Sequence, residues 1–246
     1  MTEEHIFADW IGRFLKKNSL YQDSRFSESF IRTKAGTVRS LHKGNFIDRK
    51  IPVLCTNCNN EWGSNIQKKA GDALKPIVKG GWRHLTETDC ARIAKFATCY
   101  AMVAEFLEPP SFRVISQQTR EQFRKKSTIP DGWRIFIAPY AGEPSVFRQR
   151  KTFTQRIAVR NEPRSFAETF AIGNLSVLVF GTSDENLMNY SDSNHVISSA
   201  LRRQGMIQVW PIGIPFPPSR PPSVTDANTD DLLSTVAGAI TGRIWR

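Results

Sequence analysis

The chain has 246 residues, 40% hydrophobic and 23% charged, enough for one large domain or two small ones with a core that needs no disulfide staples. No apolar run of about 18 residues is present, which excludes a helical membrane span, and Met1-Thr2-Glu3-Glu4-His5 lacks the basic region and apolar core of a secretory signal. There are 34 Lys+Arg against 23 Asp+Glu, a net charge of +11, which suits a polyanionic partner, nucleic acid first, although many basic proteins bind none. Four cysteines, two of them in one Cys-x-x-Cys, do not make a disulfide framework, so a reducing cytoplasm is the expected location.

Residues 3–7 read as a short extended piece carrying Glu4 and His5. Asp9 to Lys17 reads as a helix, because Trp10, Ile11, Phe14 and Leu15 share one face, with Asp9 as its N-cap. Asn18 to Ser40 is polar and shows little periodicity; basic residues gather from Arg32 to Lys50. Ile51-Pro52-Val53-Leu54 predicts a strand running into Cys55. From Trp62 to Lys75 the positions Ile66, Ala70, Ala73 and Leu74 keep helical spacing, and Pro76 should kink or end that helix. Thr86-Glu87-Thr88-Asp89 is a capping-box pattern. The helix it starts carries Ile93, Phe96, Ala97, Tyr100, Ala104 and Leu107 on one face and ends at Pro109-Pro110.

Beyond Pro110 the texture changes. A short basic helix with Arg120, Arg124, Lys125 and Lys126 precedes runs of strand type at 133–138, 153–160, 168–172, 175–180 and 206–212. Several alternate apolar and polar residues, as half-buried antiparallel strands do. Asp184 to Asn194 reads as a loop, Pro215 to Pro222 as an extended segment, and Asp230 to Ile244 has weak helical spacing.

The chemistry-bearing stretch is Cys55-Thr56-Asn57-Cys58-Asn59-Asn60-Glu61-Trp62. A strand that delivers two thiolates and turns directly into a helix is a zinc-knuckle device. Asn59 and Asn60 supply amide oxygens at a helix start, where they suit either a divalent cation or a cap. His5, beside Glu4, has the unperturbed pKa a general base needs. The alternatives stay open at this point: a surface His5, two buried thiols, and Trp10 and Trp62 as packing residues. Cys90 and Cys99 are expected in the core. Nine residues apart on one helix, they stand about 13 Å apart along its axis, too far to complete a metal site together. The Arg148 to Arg160 cluster, alternating with Phe147 and Phe153, suits either a phosphate backbone or a solvated strand face.

Glu4-His5-Ile6-Phe7-x-x-Trp10, then Cys55-x-x-Cys58-Asn59-Asn60-x-Trp62-x-Ser64, resembles the HNH endonuclease superfamily, the ββα-metal or treble-clef nucleases, and within it a group of bacterial and phage HNH-like proteins. Ala101-Met102-Val103-x-Glu105-Phe106 and Met206 to Pro211 resemble that group's central helix and closing strand. The resemblance implies an N-terminal ββα-metal module at 1–80. With a helical connector at 81–110 and a β-rich antiparallel part at 111–246, the expected fold class is α+β. It further implies a hydrolase of phosphodiester bonds in DNA, or less readily RNA. His5 would be its general base, Glu4 with Asn59 or Asn60 would hold Mg²⁺ or Mn²⁺, and Cys55 and Cys58 would be half of a structural Zn²⁺ site. The sequence departs from the family in three places. The Cys-x-x-Cys that usually precedes the Glu-His has no counterpart before Glu3, so either the zinc is absent, or His42 or another residue helps to hold it, or the true start lies upstream. The middle asparagine is at best Asn45, and Gln67 stands where the group tends to have Glu. An inactive nucleic-acid-binding protein on the same scaffold is the alternative, and a partner-binding protein docking through the segment near Pro215 is a third possibility.

Overall fold

The computed structural model of the chain describes residues 2–21, 26–33, 36–43, 46–55, 58–142, 147–153, 164–184, 191–212 and 220–241. Strand β1 (Thr2–His5) leads into helix α1 (Asp9–Lys17), and β2 (Phe26–Thr33) pairs with β3 (Gly36–Lys43) in an antiparallel hairpin. Strand β4 (Lys50–Leu54) returns to pair antiparallel with β1, and a π-helical turn at Cys58–Gly63 opens α2 (Ser64–Val78). Helices α3 (Glu87–Ala104) and α4 (Gln117–Lys126) follow. Next come β5 (Arg134–Pro139), β6 (Phe147–Phe153), β7 (Ser165–Ile172) and β8 (Leu175–Thr182). Helix α5 (Ser191–Arg203), β9 (Ile207–Trp210) and α6 (Asp226–Thr241) end the described chain. The class is α+β.

The organising element is one antiparallel sheet of five strands in the order β6-β7-β8-β5-β9. Its two faces are covered by different helices. On one face Ile135, Ile137, Phe170, Val177 and Val179 join a core with Phe7, Leu15, Leu74, Ile93 and Tyr100. On the other, Phe136, Leu178 and Phe180 pack with Ile197 and Leu201 of α5 and Leu232, Leu233 and Val236 of α6. Burial on both faces explains why every residue of β7 and β8 is buried, where alternation had suggested half-exposed strands. The first core cluster runs from Ile6 to Val209, so it contains residues from both sides of position 110.

Local chemistry accounts for most boundaries. Thr86 and Asp89 form a capping box at the start of α3: the Asp89 N–H donates to Thr86 Oγ1 at 3.1 Å and the Thr86 N–H to Asp89 Oδ2 at 3.3 Å. Asp9 is not the N-cap of α1. Ala8 occupies that position, and Asp9 in the first turn pairs with Arg13 at 2.7 Å. Pro76 is tolerated inside α2, which runs on to Val78 and stops before Gly80 at φ +94°. Ser191 to Asn194 belong to α5 rather than to a loop, and the polar stretch from Asn18 holds the β2–β3 hairpin. The expected strand beyond Phe153 and the segment around Pro215 lie outside the described residues.

The N-terminal segment is tied to the sheet at the end of α2 and through Phe7. The β7–β8 turn presses on the end of α2, where Asn174 donates to the Val78 carbonyl through its backbone N–H at 3.0 Å and its Nδ2 at 3.1 Å. Phe7 stacks on Tyr100 of α3 and meets Phe170 of β7 edge-on, with ring centroids 4.8 and 5.9 Å away.

Candidate functional site

The β1–β4 ribbon, the π-helical turn and α2 carry the residues singled out in the sequence. The register pairs Thr2 with Leu54, Glu4 with Ile51 and His5 with Lys50. His5 is the half-buried last residue of its strand, held from behind by the buried Ile6 and Phe7 and by the Ile6 N–H bonded to the Arg49 carbonyl at 3.0 Å. Cys55 follows Leu54 directly, so it leaves the ribbon at the end opposite His5, about 16 Å away along the strand. Asn60 is exposed on the π-helical turn. The side chains of Glu4, Asn59 and His42 lie outside the described residues, as does Asn45.

The two cysteines do converge. Cys55 is exposed and its sulfur accepts a hydrogen bond from the Cys58 N–H at 3.2 Å. The Cys58 thiol is raised above its ordinary value, first by its hydrogen bond with the Cys55 sulfur and then by burial, with Arg124 acting in the opposite direction. Two neighbouring sulfurs at a strand end fit half of a tetrahedral zinc set. Binding such an ion requires both thiols as thiolates, so it must release these protons. Among the described residues no three His, Cys, Asp or Glu side chains gather closely enough to hold a metal ion.

Helix α4 was not foreseen as part of this neighbourhood. Its fully buried Phe123 meets Trp62 edge-on, with ring centroids 5.5 Å apart, and its Arg124 Nη1 lies 3.9 Å from Cys58 Sγ. A helix encoded beyond residue 110 therefore docks on the Cys-x-x-Cys turn. Trp62 is a packing residue here, as is Trp10, whose ring meets Phe14 edge-on. Cys90 and Cys99 are both buried, and burial pushes the Cys90 thiol up to about 11.

A buried ionic cluster, with no sign in the sequence, lies nearby. Arg148 and Arg150, two apart on β6, share a strand face with Glu168 of β7. Glu168 is fully buried; it accepts from Arg148 Nε at 2.6 Å and from Arg150 Nη1 at 2.5 Å. Arg148 Nη1 reaches Glu108 at 2.8 Å. Glu105, also fully buried, accepts from Arg150, from Arg120 of α4 and from the Val114 and Ile115 N–H groups. Burial disfavours the Arg148 charge, but Glu168, Tyr100 and Glu108 outweigh it and raise the pKa of the guanidinium. At Glu105 burial wins over its partners, and the carboxyl is raised. Burial likewise pushes Arg120 down to about 10. So Arg148 and Arg150 serve neither a phosphate backbone nor a solvated face. They clamp the sheet to the end of α3 and, through Glu105, to α4. Residues 154–160 of that stretch lie outside the described residues.

Compared with protein families, with curated proteins and with solved structures, the chain matches none. Among the described residues no helix is long and apolar enough to cross a membrane.

Proposed function

We propose that the protein is a metal-dependent HNH-type endonuclease acting on DNA. The observation that carries this is the strand–strand–helix order around two neighbouring thiols, Cys55 exposed and Cys58 half-buried. An antiparallel β1–β4 ribbon ends in a Cys-x-x-Cys turn whose first sulfur is hydrogen-bonded by the N–H of the second cysteine, and α2 follows at once. In this reading His5, at the end of its strand, takes the proton from the attacking water. Glu4 with Asn59 or Asn60 holds Mg²⁺ or Mn²⁺, which when bound neutralises charge developing on the scissile phosphate. Cys55 and Cys58 belong to a structural Zn²⁺ site that takes its other ligands from elsewhere.

A second reading has its own observation. Gln67 stands on α2 where the resembled group tends to have Glu, which favours a nucleic-acid-binding protein on this scaffold without turnover. One assay separates the two. Purified protein is incubated with supercoiled plasmid in Mg²⁺, Mn²⁺ or EDTA, beside His5→Ala. Nicking that needs metal and is lost in the variant is the expected result. Equal nicking by His5→Ala removes the base assignment, and binding without nicking in any metal selects the second reading.

A further inference from the structure

Helix α4 has little reason of its own to be a helix. Its ten residues, Gln-Gln-Thr-Arg-Glu-Gln-Phe-Arg-Lys-Lys, contain one apolar side chain, and an isolated helix of that length is marginal in water. It is nevertheless fastened at three points. Ser116 caps its start, its Oγ accepting the Thr119 N–H at 3.1 Å. Arg120 bonds Glu105 and the Met102 carbonyl, which joins α4 to the ionic cluster. Phe123 is sunk against Trp62.

These anchors hold out one thing, the last turn with Arg124, Lys125 and Lys126. All three are exposed, and none pairs with a carboxylate among the described residues. Cations in the last turn of a helix are favoured by its dipole, and that alone would explain their presence on any helix. It does not explain why this helix is docked onto the Cys58 turn by the buried Phe123 against the half-buried Trp62, with Arg124 touching the sulfur, while Arg120 ties it to Glu105. Exposed cations that form no ion pair among the described residues, on a chain of net charge +11, are suited to phosphate oxygens.

We infer that the last turn of α4 is the phosphate grip of this protein: Arg124, Lys125 and Lys126 contact the backbone of duplex DNA where it passes the Cys55–Cys58 turn. The inference rests on the nucleic-acid reading above and adds to it the residues that hold the backbone. These contacts carry no sequence information, so the grip fixes register rather than selecting a site.

The test is fluorescence anisotropy with a labelled mixed-sequence duplex over a series of salt concentrations, in EDTA so that no cleavage intrudes. Each phosphate contact adds about 0.9 to the slope of log affinity against log salt. Arg124→Gln/Lys125→Gln/Lys126→Gln should therefore lower the slope by roughly 2 to 3. Arg202→Gln/Arg203→Gln/Arg220→Gln removes the same charge from exposed positions outside α4 and should leave the slope close to that of the parent. If the α4 triple fails to fold, Lys125→Gln/Lys126→Gln touches neither Cys58 nor the core and should lower the slope by about 1.8. An unchanged slope, an equal fall in the control triple, or no duplex binding by the parent protein overturns the inference. Its failure is distinguishable from that of the nuclease reading. Plasmid nicking by a parent whose slope α4 does not affect sinks the grip alone. An α4-dependent slope without nicking sinks the nuclease alone.

Discussion

Glu168→Gln is the sharpest probe of what holds this fold together. The substitution keeps the side-chain volume and removes one charge from a position with no solvent exposure. Both arginines it serves are nearly as deep, with side chains 10% exposed for Arg148 and 2% for Arg150. After the change, among the described residues, Arg148 keeps only the Glu108 carboxylate and Arg150 only that of Glu105, and the amide offers one acceptor where there were two. Breaking a buried pair by removing one partner costs about 3–5 kcal/mol, because an uncompensated charge stays in the interior. That is a large share of the roughly 5–15 kcal/mol that typically separates folded from unfolded, and in a chain of this size it corresponds to a fall in Tm of roughly 6–20 °C. Urea unfolding followed by far-UV circular dichroism gives the midpoint and slope; the midpoint should fall with the slope unchanged. Glu105 is the counter-case. Burial there outweighs its arginines and raises the carboxyl, so Glu105→Gln should cost less than Glu168→Gln. A loss below about 1 kcal/mol for Glu168→Gln, the range of an exposed pair, or the reverse order of the two variants, would refute the reasoning.

The turn between β7 and β8 offers a backbone test. Gly173 has φ +53°, and a Cβ there would meet the Val78 carbonyl oxygen at 2.7 Å, so Gly173→Ala should destabilise by at least about 1–2 kcal/mol in the same urea assay. Cys90 supplies a pH dependence. Its thiol is raised by burial from 9.0 to about 11, so the folded state keeps the proton while the unfolded chain gives it up. The contribution is complete below about pH 9 and is lost as the pH rises towards 11, and Cys90→Ala should unfold with a flatter midpoint-against-pH curve over that window.

Some of this architecture is written locally in the chain. Helix α3 is the clearest case, since the Thr86–Asp89 capping box and the Ile93, Phe96, Ala97, Tyr100, Ala104 face need no distant partner. The positions of β5, β7 and β8 follow from apolar runs between turn residues. Their double burial does not, because it depends on α5 and α6 covering the second face. In α5 the apolar set, Val196, Ile197, Ala200 and Leu201, comes after a polar first turn rich in serine, which hides the period. At the candidate site, the approach of Cys55 to Cys58 follows from their spacing. The distance of His5 from them depends on the β1–β4 register, set by residues almost fifty positions apart. The docking of α4 is further from view still, because Phe123 and Trp62 are each ordinary aromatics until the fold joins them. Glu105, Glu168, Arg148 and Arg150 carry no local sign of their burial for the same reason: no local pattern distinguishes a solvated charge from one whose partner is on another element.

The ionic cluster changes what the net charge means. Three arginines, Arg120, Arg148 and Arg150, are matched inside it by three glutamates, Glu105, Glu108 and Glu168. The cluster is therefore neutral, and the whole excess of eleven positive charges is carried by the remaining residues. The arginines that alternate with phenylalanine on β6 drew attention in the sequence as a basic stripe, yet Arg148 and Arg150 are withdrawn from any partner by their burial. The same cluster fixes α4 through Arg120, and α4 in turn presents its three exposed cations beside the thiol pair. Loss of Glu168 should accordingly weaken more than stability. If Arg150 turns wholly to Glu105, Arg120 competes for that carboxylate, and the angle at which Arg124 meets the Cys58 turn is no longer fixed.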